Sequence, residues 1–153
     1  MDVAVADVFE TMLARPCAAI QETSAFSPAF SARITISGSV RARCMVEFPL
    51  SLAEKLTAAF LGPSDGPAWD EVMVADTLGE LCNMIAGGFK KRLGEPASSS
   101  ELSVPAISRI ESQAQQRNGS GIYAGPEADE LRRAYAFDSD FDDERFLVRL
   151  VEL

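Results

Sequence analysis

The chain predicts an α+β fold: an antiparallel β-sheet with helices packed on it and a long central helix. Three observations carry that prediction. Residues 76–93 repeat apolar side chains at helical spacing. Val40, Ala42, Cys44, Val46 and Phe48 alternate with Arg41, Arg43 and Glu47, the period of a half-buried strand. Residues 131–138 and 145–152 alternate likewise on either side of an acidic turn, as the arms of a hairpin do.

The elements follow in order. Val5, Val8, Phe9, Met12 and Leu13 share one face of a first helix, which Asp2 is placed to cap and which stops near Arg15-Pro16. Residues 20–30, rich in Ser and Ala, read as extended or loose chain. Residues 34–42 hold two strands joined at Gly38-Ser39, a two-residue connection with Gly first, as a type II′ turn prefers. Ser51 and Glu54 have capping-box spacing for a short helix carrying Leu52, Leu56 and Phe60. Gly62-Pro63 ends it. Pro67 suits the first turn of the long helix, which runs on to Leu93 and stops at Gly94. In a straight helix from that start, Trp69 and Met73 project to the side of Glu80, which demands a bend, a cover or a partner. Residues 97–100 read as a polar linker, 102–110 as a strand and 116–129 as a loop.

Size and composition narrow the function classes. At 153 residues and 47% hydrophobic, the chain is expected to form one domain over 1–153 with a real core. The net charge of −9 and the scattered basic residues argue against nucleic acid, which needs clustered Lys and Arg. Cys17, Cys44 and Cys82 are odd in number and widely spaced, and the chain has no His, so no metal-ligand pattern is present. Cys44 and Cys82 fall on apolar faces, which favours a reducing cytoplasm. The N-terminus lacks a basic, apolar signal sequence, and no apolar run reaches the length of a membrane span. Without His no Ser–His or Cys–His nucleophile can be built, and no phosphate-cradling P-loop spacing occurs.

The long helix carries the chemistry. Turned at about 100° per residue, Leu78, Leu81, Cys82, Ile85, Phe89 and Leu93 form one broad apolar stripe. Asp76, Glu80, Asn83, Gly87, Lys90 and Lys91 gather opposite, with Met84 beside Glu80. Glu80 and Asn83, three apart, are neighbours one turn apart. A Glu on the wet side of a helix is ordinarily just solvated. The Asn and the tandem Gly87-Gly88 are harder to dismiss. Asn costs up to about 0.7 kcal/mol in a helix interior and each Gly about 1 kcal/mol.

The string Glu80-Leu81-Cys82-Asn83-Met84-Ile85-Ala86-Gly87 resembles the Glu-x-x-Asn helix of the CheX-like chemotaxis phosphatases, relatives of CheC and FliY. The hairpin at 34–42, the strand ending in Phe48-Pro49, the helix of residues 51–61 and the segment Leu102-Ser103-Val104-Pro105 come in that family's order. The resemblance is clear over residues 30–110. It departs at Gly88, where many relatives carry a second Asn.

The resemblance implies a phosphatase acting on a phosphorylated CheY-like receiver domain. Asn83 would orient the attacking water and Glu80 would meet the receiver's lysine. An amide suits that task, since it both donates and accepts without a special pKa. Gly87 would leave room for close approach and Met84 would offer an adaptable contact. Lys90 and Lys91 would steer toward an acidic partner, or simply be solvated. The protein would need no cofactor of its own, the receiver bringing Mg²⁺. CheX-like proteins also imply dimers through exposed strand edges, which the sequence does not decide. The other functional class is a non-catalytic adaptor that docks a phosphorylated receiver, with Trp69, Met73 and Met84 as apolar anchors.

Overall fold

A computed structural model of the chain describes residues 1–21, 27–63, 66, 69–110 and 130–153. Helix α1 (Asp2–Leu13) precedes three strands, and helices α2 (Leu50–Leu61), α3 (Glu71–Leu93) and the single turn α4 (Glu95–Ser98) then follow in succession before the remaining strands. The strands are β1 (Cys17–Ile20), β2 (Phe30–Ser37), β3 (Ala42–Phe48), β4 (Glu101–Leu102), β5 (Ala106–Arg109), β6 (Glu130–Phe137) and β7 (Arg145–Glu152). They form one seven-stranded sheet in the order β1-β6-β7-β3-β2-β4, with β5 also on β2. Every pairing is antiparallel. This is the α+β architecture that the alternation and the helical period foretell.

One face of the sheet makes the core. Register places Val46 and Cys44 beside Val148 and Leu150 and Tyr135 beside Phe146, and the Phe48 ring stacks on Phe146 at 5.9 Å between centroids. Phe9 of α1 lies on this face, its ring edge-on to Phe137 at 5.1 Å between centroids. Helix α3 packs on β2, with α1 and α2 both against it. The opposite face keeps an ion pair between the buried Glu47 and the half-buried Arg149. The three described cysteines are free and buried, and burial pushes the Cys17 thiol up to about 12.

Several local expectations are corrected. Strand β1 was not foreseen: four residues, Cys-Ala-Ala-Ile, lack an alternating signature, and pairing with β6 makes the strand. The chain reversal near Gly38 is longer than two residues, because Ile36 pairs with Ala42. Ser100 decides that register. Its Oγ accepts from Val40 N–H at 3.0 Å, and Gly38, at φ +132°, stands so close to Ser100 that a Cβ would lie 2.8 Å from its Cα. Residues 97–100, expected as a polar linker, are thus a pinned segment with Ala97 and Ser100 buried.

The helix starts also differ. Helix α1 has Met1 at its N-cap, and Asp2 instead accepts from the Tyr135 hydroxyl at 2.8 Å. Helix α2 has Pro49 at its N-cap and no side-chain cap; Ser51 donates to Glu144 at 3.1 Å rather than closing a capping box. Lys55 pairs with Glu144 at 2.9 Å and Asp142 at 2.5 Å, tying the acidic β6–β7 turn to α2. Pro67 and the loop expected at 116–129 lie outside the described residues, as do residues 22–26 of the stretch read as extended.

Candidate functional site

Helix α3 begins at Glu71, where the Asp70 carboxylate accepts from Val72 N–H at 3.0 Å. Trp69 therefore precedes the helix, and it packs against the core. The conflict posed by a helix from Pro67 disappears: of that apolar pair only Met73, 41% exposed, stands on the helix face. Gly94, at φ +69°, ends the helix, and Lys90, Lys91 and Arg92 occupy its last turn, where positive charge meets the dipole.

The helix buries Val74, Thr77, Leu78, Gly79, Leu81, Cys82, Ile85, Ala86 and Phe89. Leu93, expected on this stripe, is instead 46% exposed at the helix end. Thr77 is satisfied within the helix, its hydroxyl donating to Met73 C=O at 2.9 Å. Burial along one side anchors α3 as a rigid element, so side chains opposite are held by packing behind them.

On that opposite side Glu80 is exposed and Asn83 half-buried. Among the described residues neither group has a hydrogen-bond or ion-pair partner. They present one acid and one amide, one turn apart, on the outer side of a helix fixed on its other side. Met84 is half-buried and leans on the core, so it is less available than its sequence position suggests. Gly87 and Lys90 are half-buried and Lys91 exposed. Gly87, Lys90, Lys91, Gly94, Glu95 and Ser98 line a shallow depression of about 450 Å³ that continues the face beyond Asn83.

The glycines of this helix differ in purpose. A Cβ on Gly79 would lie 3.3 Å from Pro105 Cβ and 3.4 Å from Ile107 Cδ1, so Gly79 lets β5 close on the helix. Gly88 faces Ala4 of α1, whose Cβ would be 3.4 Å away. A Cβ on Gly87 would meet only Leu102 Cδ1, at 4.0 Å. Packing does not require a glycine at 87. Gly87→Ala is expected to raise stability by up to about 1 kcal/mol, a rise of about 2–4 °C in a melting curve. A lower Tm would show a steric role for this glycine inside the fold.

The sequence missed how residues 101–110 sit. Expected as one strand from 102 to 110, they split into β4 and β5 on the same edge of β2. Pro105 has no N–H to give a ladder, which explains the break. Leu102 is the side chain an added Cβ on Gly87 would face and Pro105 the one an added Cβ on Gly79 would meet, so the intervening residues run beside the two turns that carry Glu80 and Asn83.

Among the described residues no helix is long and apolar enough to cross a membrane, and no group of three or more His, Cys, Asp or Glu could hold a metal ion.

The site is thus a helix backed by an antiparallel sheet, with Glu80 exposed and Asn83 half-buried on its outer side. The family model described as "Chemotaxis phosphatase CheX" matches residues 30–123, more than half of the chain. The protein belongs to the CheX family. No curated protein is similar enough to count as a relative. Solved structures of similar fold include the chemotaxis protein CheX of Vibrio vulnificus, with a TM-score of 0.73 at 19% identity, covering 97% of this chain and 91% of that one. A CheX–CheY–BeF3–Mg²⁺ complex from Borrelia burgdorferi gives 0.68 at 20% identity, over 97% and 92%. Thermotoga maritima FliY gives 0.67 at 13% identity, over 97% and 82%.

Proposed function

We propose that this protein accelerates hydrolysis of the aspartyl phosphate on a CheY-like receiver domain by presenting α3 to the receiver's active site. The observation that carries the reading is the outward pair of Glu80 and Asn83, without a partner among the described residues, on a helix packed firmly behind. Membership of the CheX family supports it. So does the partner of the Borrelia relative, a CheY.

The chemistry asks little of this chain. An acyl phosphate is already activated, and its hydrolysis needs a water in line with the breaking P–O bond. The water oxygen bonds to phosphorus, the aspartate carboxylate leaves with the bond's electron pair, and the water's proton passes to the phosphate. The Asn83 carbonyl accepts a hydrogen bond from that water and orients its lone pair toward phosphorus. Glu80 pairs with the receiver's lysine and fixes the helix in register. Mg²⁺ would be held by the receiver and would supply charge stabilisation for the phosphoryl group, with no ligand from this chain. Gly87 allows the helix to approach closely, Met84 adds an apolar contact at its edge, and Lys90 favours an acidic partner surface.

The test mixes the purified chain with a CheY charged with acetyl phosphate and Mg²⁺, and follows phosphate release. Loss faster than in receiver alone is expected. Binding with no acceleration, or with slower loss, would replace the phosphatase reading by the adaptor reading.

A further inference from the structure

The edge of the sheet beside the helix that carries Glu80 and Asn83 holds a second feature. Ile36 pairs with Leu102 and Arg33 with Ala106. Three steps along β2 are thus matched by four along the edge, so residues 103–105 contain one extra residue, a β-bulge. Bulges re-aim side chains and concentrate beside functional sites. At this one the re-aimed residue is apolar: Val104 is 84% exposed, more than any other large hydrophobic residue described.

The bulge is held firmly. Ser103 N–H donates to Thr35 C=O at 2.9 Å, and Ser103 Oγ accepts from Thr35 N–H at 3.0 Å, so a side chain completes the ladder. The same Oγ stands 3.0 Å from Val104 C=O and donates to it. On the helix side Pro105 lies close to Gly79 of α3, and Leu102 is the side chain nearest the open position at Gly87, where an added Cβ would stand 4.0 Å from its Cδ1. Those contacts bracket Asn83 in sequence and place Val104 along the flank of the helix that Asn83 occupies. Scattered exposed apolar residues are common and need no explanation. An exposed valine on a bulge locked at both ends, beside an acid–amide pair that has no partner among the described residues, is a different case. Its backbone is already ordered, so burying it against a partner costs little further entropy.

We propose that Val104 is a positioning residue for receiver binding: it packs on an apolar part of the receiver's surface next to the phosphorylation site and sets the angle at which α3 enters. This rests on the receiver-phosphatase reading. The interface then has two legs, the Glu80 ion pair on the helix and the Val104 contact on the sheet edge, with Asn83 between them.

The experiment measures phosphate release from a CheY charged with acetyl phosphate, at varied receiver concentration, for wild type, Val104→Asp, Val104→Ile and Glu80→Ala. Val104→Asp is expected to raise KM about tenfold, the value of one buried valine. Its kcat should stay within about twofold and its Tm should not change, since an 84% exposed side chain contributes little to the fold. Val104→Ile should restore the wild-type KM, which a merely local folding role would not require. If Glu80→Ala raises KM and Val104→Asp does not, the helix docks without the bulge and this proposal is overturned. If wild type fails to accelerate phosphate loss, the underlying phosphatase reading fails instead.

Discussion

Asn83→Ala is expected to slow phosphate loss from the bound receiver by about 10²–10³-fold, with KM within about twofold of wild type. That magnitude is typical for removing one preorganised hydrogen-bonding group from a reaction centre. The direction follows from the geometry. Asn83 is half-buried with no partner among the described residues, so its removal opens no internal hydrogen bond. Alanine is the better helix former by up to about 0.7 kcal/mol. The variant should therefore melt at or slightly above the wild-type temperature while losing activity. Parallel melting curves and saturation kinetics separate a lost water contact from a lost fold. An unchanged kcat would remove Asn83 from the mechanism.

Glu80→Ala should act on the other parameter. A carboxylate that meets a lysine in a closing interface is partly desolvated, and truncating one partner of such a pair costs about 2 kcal/mol or more. KM should rise about 30-fold. The rate at saturating receiver should fall by no more than about threefold, because the water is still held by Asn83. Glu80 is exposed and pairs with no described residue, so stability should barely move. A large fall in kcat with unchanged KM would mean that Glu80 works on the reaction itself.

Much of this was legible in the residues. The period of 3.6 in α3 and of 2 in β3 and the terminal hairpin follows from how side chains project, which tertiary structure seldom overrides in strongly patterned segments. The acid and amide were legible for the same reason: spacing of three on a helix fixes their common side. What stayed hidden depends on contacts distant in sequence. Strand β1 exists because β6 pairs with it. Ser51 and Asp2 look like caps, but Glu144 and Tyr135, about ninety or more positions away, engage them. The bulge at 103–105 needs the register of β2 on both sides of Pro105, which no local pattern encodes. Gly87 and Gly79 look alike in sequence, and only the approach of β5 tells the open position from the packed one.

The most direct test of the central claim is where the receiver sits. A photo-crosslinking residue at Asp76, exposed on the Glu80 side of α3, is compared with one at Arg132 on β6, exposed and away from that helix. Each is mixed with a CheY charged with acetyl phosphate and Mg²⁺, irradiated, and the joined peptides identified. The account predicts adducts from position 76 to peptides around the receiver's phosphorylation site, dependent on phosphorylation. Adducts from position 132 alone, with none from 76, would contradict it.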